Sequence, residues 1–99
     1  MTTYTDLLGE KLQDTSFVKL YGEGLAKDRL GIAFYKARQS SGTTKEALSK
    51  VFGVAVEYIS RMESGEVNPS ISKVGAMFAY MGYSLDFVLE PLIKSSSKE

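Results

Sequence analysis

A chain of 99 residues allows one domain with its own core, and its composition removes several kinds of chemistry. It contains neither cysteine nor histidine, which excludes disulfides, thiolate metal sites and histidine-based acid–base catalysis. Twelve basic residues balance twelve acidic ones, so any positive surface must come from local clustering. Because no catalytic set, signal-peptide pattern or membrane-length apolar run is found, we expect a cytoplasmic protein that is not an enzyme and needs no metal or other cofactor.

The first part of the chain carries two stretches with helical periodicity. Apolar residues recur three or four positions apart near the start, at Tyr4, Leu7, Leu8 and Leu12. They predict a short amphipathic helix over 3–12, after which Asp14 or Ser16 can cap the next helix. The helical pattern continues over 17–41, but each glycine within it weakens a helix by about 1 kcal/mol relative to alanine. We therefore expect a kink or a break near Gly22–Gly24.

The middle of the chain contains two short helical patterns separated by a glycine turn. Thr44 can cap a helix over 45–52, and Gly53 starts the turn that follows. A second helix is predicted over 55–63 and can end at Gly65. Two helices joined in this way have the layout of a helix-turn-helix, whose second helix enters the DNA major groove. The sequence therefore indicates a DNA-binding protein.

The last third of the chain combines one more helix with a segment of ambiguous pattern. Ser70 can cap a helix over 70–81. Apolar and polar residues then alternate over 83–92, which favours a strand, although Ser84 could instead cap a helix. We predict a strand, and because its edge needs a partner, the simplest partner is the same strand of a second copy. Residues 93–99 are expected to form a flexible tail.

Several short motifs between residues 30 and 90 occur together in a known family. They are Ala37-Arg38, Thr44-Lys45-Glu46-Ala47-Leu48, Gly53-Val54, Ile59-Ser60-Arg61-Met62-Glu63-Ser64-Gly65 and Asn68-Pro69-Ser70. In this order and spacing they resemble the Cro/phage-repressor-like (Xre) helix-turn-helix family. The resemblance implies a mainly α fold: a lambda-repressor-like five-helix helix-turn-helix bundle over 28–92 that ends in a short strand. Residues 1–27 would form an N-terminal helical extension.

The segments on either side of these motifs narrow the resemblance. The spacing of Leu12, Asp14, Phe17 and Tyr21, and that of Gly82, Leu85, Phe87, Leu89 and Pro91, is similar to antitoxins of HigBA-type toxin–antitoxin systems. This implies a homodimeric repressor that binds palindromic double-stranded operator DNA and also blocks a RelE/HigB-like toxin. Two alternatives stay open. One is a plain, phage-like Xre-type regulator without a toxin, and the other is a protein–protein adaptor that has lost DNA binding.

The resemblance also implies roles for residues around the first of the two short helices. Arg38 and Glu63 match an ion pair that the family buries, although two solvated surface charges are the alternative. Phosphate contacts are implied for Thr43, Thr44 and Lys45, close to a helix N-terminus that favours an anion. Capping of the helix is the alternative for Thr44, and both roles can hold together.

Contacts with base edges would come from the second helix. The candidates are Val56, Glu57, Ser60 and Arg61, with Tyr58 at the margin. Arg61 can bond guanine and Glu57 can accept from cytosine, whereas an ordinary exposed helix face is the alternative. The chain departs from the family at two positions. Ala55 stands where serine or threonine usually caps the helix, and Glu57 would repel phosphates unless it met a base donor.

The N-terminal extension holds more apolar residues than a DNA-binding core needs. The candidates for binding a partner are Leu7, Leu8, Phe17, Leu20 and Tyr21. Because a large exposed apolar patch usually marks an interface, we expect the toxin to dock here. An extended core that buries the same side chains is the alternative.

Overall fold

The computed structural model describes residues 3–93, and this part of the chain contains five α-helices. They are α1 (Tyr4–Lys11), α2 (Thr15–Ser41), α3 (Lys45–Phe52), α4 (Val56–Glu63) and α5 (Ile71–Tyr80). The predicted mainly α class is therefore confirmed. The predicted tail over 93–99 lies, apart from Ile93, outside the described residues. Within 3–93, no helix combines the length and the apolar character that crossing a bilayer requires.

Helix α2 is longer and more continuous than its glycines suggest. It runs without interruption for 27 residues from the Asp14 cap, so the break predicted near Gly22–Gly24 does not occur. A Cβ atom at Gly22 or Gly24 would meet nothing within 4 Å, so neither glycine is needed for packing. The expected boundary between 27 and 28 falls inside this helix. The extension and the following bundle therefore share one continuous element.

The core lies between the C-terminal half of α2 and the three helices that follow. Its buried members are Phe34, Ala37, Leu48, Ile59, Met62, Val74, Met77, Phe78 and Met81. Phe34 and Phe78 meet edge to face with ring centroids 5.5 Å apart, which joins α2 to α5. Helix α1 adds the buried Leu8, which is not part of this cluster. The buried residues of this main core thus all lie within 34–81.

The segment after α5 does not support the predicted strand. No strand or helix is found over 82–93 in the described part of the chain. A strand is held by a ladder of hydrogen bonds to a neighbour, and the single chain gives this segment none. Leu85 packs against the core, whereas Phe87, Val88 and Leu89 are exposed. The alternating pattern therefore reflects one anchoring residue followed by apolar residues that stay largely exposed in the monomer.

The contact between α2 and α4 depends on a glycine, and this generates a stability prediction. A Cβ atom on buried Gly31 would lie 2.5 Å from the Glu63 carbonyl oxygen and 2.8 Å from that of Met62. Gly31→Ala should therefore destabilise the fold by about 1–3 kcal/mol, because backbone atoms must move apart. Gly22→Ala, the same change at an open position of α2, should instead stabilise it by roughly 0.5–1 kcal/mol. Urea unfolding of both variants measures the difference, and shifts of the same sign would contradict it.

Candidate nucleic-acid interface

A closed glycine turn sets the positions of α3 and α4. Gly53 ends α3 with a φ of 67°, a left-handed conformation that favours glycine. The Gly53 and Val54 N–H groups both donate to the Ser49 carbonyl oxygen, at 2.9 and 3.2 Å. The Ser49 hydroxyl donates in turn to the Val54 carbonyl oxygen. Ala55 precedes α4 without a side-chain cap, so this turn, and not a cap, fixes where α4 begins.

A two-pronged ion pair joins the end of α4 to α2. Arg38 donates from Nε to Glu63 Oε2 at 2.6 Å and from Nη2 to Oε1 at 3.2 Å. The two side chains are only 11% and 9% exposed. Arg38 Nη1 also donates to the Thr43 carbonyl oxygen at 3.4 Å, next to the start of α3. The Glu63 hydrogen bond raises the pKa of Arg38 above its ordinary value.

The three residues with implied phosphate contacts differ in their local bonds. Thr44 Oγ1 accepts from the Ala47 N–H at 3.0 Å, so its hydroxyl caps α3. The Thr43 hydroxyl lies 2.8 Å from that of Ser41. Lys45 is half-buried and its Nζ donates to Ser60 Oγ at 2.9 Å, which brings two of the candidate DNA-binding residues together across α3 and α4. Lys45 thus spans the junction of the two helices.

The base-reading candidates divide into exposed and half-buried side chains. Glu57 and Arg61 are exposed on α4, whereas Val56 and Ser60 are half-buried. Tyr58 packs against the core and is also half-buried. Lys73, in the first turn of α5, holds its Nζ 5.3 Å above the Tyr58 ring centroid. Sequence reasoning missed Lys73, because only the folded chain brings α5 beside α4.

The partner-binding candidates do not share one exposed face. Leu20 is 71% exposed and Leu7 is 46% exposed, but Leu8 is buried. Phe17 and Tyr21 stack on each other with centroids 5.4 Å apart, and both are half-buried. Leu8 is thus unavailable to a partner on the folded single chain. Within the extension, exposed and buried apolar side chains therefore occur together.

The Arg38–Glu63 pair generates a prediction on stability. Replacing one partner, by Arg38→Met or Glu63→Leu, should destabilise the fold by about 3 kcal/mol because a buried charge loses its counter-ion. The double variant should lose less than the sum, since both charges are removed together. The exposed pair Arg61–Glu66 is the control, and its coupling should stay below about 1 kcal/mol. Double-mutant cycles in urea measure both couplings, and equal values would contradict a buried pair.

Comparison with known proteins identifies the family. The sequence model of the helix-turn-helix family matches residues 34–88, which is more than half of the chain. This range contains Arg38, the turn at Gly53 and all of α3 to α5. Comparison with curated proteins and with solved structures gives no match. The chain belongs to the Xre/Cro-like helix-turn-helix family of DNA-binding transcriptional regulators.

Proposed function

We propose that the protein is a sequence-specific repressor that binds operator DNA through α4. The observation that carries this proposal is the way α4 is held. The Arg38–Glu63 pair fixes its C-terminal end, and the turn at Gly53 fixes its start. Arg61 and Glu57 remain exposed on the helix held in this way. A rigid helix with exposed donors and acceptors is suited to reading base edges in a major groove.

Contacts to the phosphates would come from both sides of α4. We assign this role to Lys45 and Thr43 near the start of α3, and to Lys73 in the first turn of α5. The chain as a whole is neutral, so these local charges must supply the attraction to DNA. Glu57 opposes them near phosphates. We therefore expect modest affinity with a clear dependence on salt.

A homodimer is part of the proposal, with the interface at 83–92. The side chains of Phe87, Val88 and Leu89 are 69%, 83% and 94% exposed. Association with a second copy would remove this apolar surface from water. Apolar grooves of about 420 and 400 Å³ lie on either side of Leu85, between α2 and α5. Pairing with a second copy would satisfy the backbone of the segment and form the strand that the monomer lacks. Sedimentation of Leu89→Lys should then show more monomer than the wild type.

The DNA-binding proposal makes a prediction for selected duplexes. From a random pool, the protein should select palindromes with half-sites one helical turn apart, because two copies present two α4 helices. Arg61→Ala should cost about 1–3 kcal/mol and relax the preference at one base pair per half-site. Lys45→Ala should weaken binding to all duplexes alike and flatten the salt dependence.

Lys19→Ala is the control for this experiment, since it removes one positive charge from α2 far along the chain from α3 and α4. It should leave both affinity and preference near the wild-type values. Selection of no preferred sequence by the wild-type protein would contradict a sequence-specific repressor. That result would favour the adaptor, to which the exposed Glu57 and the neutral charge also point.

A second proposed role is that of antitoxin in a type II toxin–antitoxin module. Its support is the exposure of Tyr4, Leu7 and Leu20 on an extension from which, among the described residues, none belongs to the core of residues 34–81. These side chains would dock a RelE/HigB-like toxin, and the same protein would repress its own operon. A plain Xre-type regulator without a toxin agrees equally well with the family assignment.

The antitoxin proposal predicts a local effect of charge on the extension. Leu20→Glu should weaken co-purification with the product of a short, basic neighbouring reading frame, because a carboxylate would have to be buried at the interface. It should also reduce rescue of growth when that frame is expressed. Ile32→Glu is the matched control, since Ile32 is also an exposed apolar residue of α2 but lies outside the extension. Equal rescue by both variants would place the toxin elsewhere, and no binding neighbour would favour the plain regulator.

A further inference from the structure

The C-terminal end of α4 fixes the residue that follows it. The Gly65 N–H donates to the Met62 carbonyl oxygen at 3.1 Å, and the Glu66 N–H donates to that of Arg61 at 2.8 Å. These two bonds form a Schellman motif, with Gly65 at a φ of 78°. A Cβ atom on Gly65 would also lie 2.7 Å from Asp28 Oδ1. The backbone therefore returns Glu66 to the turn of α4 that carries Arg61.

The Glu66 side chain is then held by two contacts on this turn. Its Oε1 lies 3.7 Å from Arg61 Nε, and its Oε2 accepts from Ser64 Oγ at 2.8 Å. The Ser64 hydroxyl also lies 3.1 Å from the Arg61 carbonyl oxygen. Both charged side chains remain more than half exposed. Glu66 therefore approaches the inner nitrogen of the Arg61 guanidinium without covering the group.

We infer that Glu66 is a positioning residue for Arg61, which favours discrimination between bases over affinity for DNA. With the carboxylate at Nε, the two terminal nitrogens of Arg61 remain free to donate side by side to O6 and N7 of guanine. Restricting the guanidinium before binding lowers the entropy that binding must remove. The same carboxylate repels nearby phosphates, so binding to every duplex is weakened. This inference rests on the proposed DNA-binding function.

Two substitutions at Glu66 separate the positioning of Arg61 from the repulsion between the carboxylate and phosphates. Glu66→Gln keeps a side chain of the same length whose oxygen can still accept from Ser64 Oγ, whereas Glu66→Ala removes both the side chain and the charge. The probes are the duplex that the full wild-type chain selects from a random pool, and its variants at the base pair sensitive to Arg61→Ala. Glu66→Gln should bind all duplexes about threefold more tightly at low salt, since one negative charge is gone, and Glu66→Ala should show this gain on duplexes that carry another base pair at the Arg61-sensitive position.

The second measurement is discrimination between bases, that is, the ratio of the affinities for two duplexes that differ at one base pair. Removing a charge changes both affinities alike and leaves this ratio unchanged. Glu66→Ala should lower it at the Arg61-sensitive pair by about twofold to fivefold, because an exposed ion pair contributes less than about 1 kcal/mol. Glu66→Gln should retain most of it. In an Arg61→Ala background, Glu66→Ala should leave it unchanged. Glu46→Gln, at an exposed acidic residue of α3, is the control and should raise affinity without altering discrimination.

Other results would overturn the inference. If Glu66→Ala behaves like Glu46→Gln, Glu66 is only a repulsive charge. If discrimination rises when the carboxylate is removed, Glu66 competes with DNA for Arg61. Thermal unfolding checks that the Glu66 variants fold as the wild type does. We expect this result because the Glu66 side chain is exposed. If the wild-type protein selects no sequence, the proposed DNA-binding function itself fails. If it selects a sequence but Glu66→Ala discriminates between bases as well as the wild type, only the role of Glu66 fails.

Discussion

The direction of α4 depends on the two-bond ion pair between Arg38 and Glu63. An ion pair with little exposure adds little net stability compared with apolar groups of similar volume, because both charges lose their hydration. Its planar, two-bond geometry does restrict orientation, however. The pair ties the last residue of α4 to α2, and through the Thr43 carbonyl oxygen it also reaches the start of α3. One guanidinium therefore relates α2 to α3 and α4, the two helices that carry most of the candidate interface.

The bounds of the short helices could be predicted because capping residues close in sequence set them. The continuity of α2 and the conformation of 83–92 depend on tertiary contacts and were harder to predict. Thr44, Gly53 and Ser70 fix helix ends through their own backbone and hydroxyl groups, so those bounds agree with the sequence within a residue or two. The glycines of α2 misled because their cost is only about 1 kcal/mol each, which a long helix tolerates. The segment over 83–92 misled because strand periodicity becomes a strand only beside a partner.

The candidate interface shows the same division between local and long-range information. Helical periodicity was enough to expect Arg61 on an exposed face. The match to family motifs was enough to expect the ion pair between Arg38 and Glu63, which the structure contains. Lys73 beside Tyr58 follows from the packing of α5 on α4, which residue spacing does not encode. The burial of Leu8 likewise depends on how the extension folds back. Residues whose roles arise from one helix were therefore accessible to sequence reasoning, whereas contacts between helices were not.

The length of α2 gives its two halves unequal resistance to local opening. The C-terminal half carries the buried Gly31, Phe34 and Ala37, so opening it exposes the main core. The N-terminal half carries no buried residue, and it contains two open glycines that favour the unfolded backbone. Amide hydrogens there should exchange at a lower free energy of opening, and proteases should reach this half before the half that faces the core. A chain cut near Gly24 would therefore lose the extension while the remaining helices kept their packing.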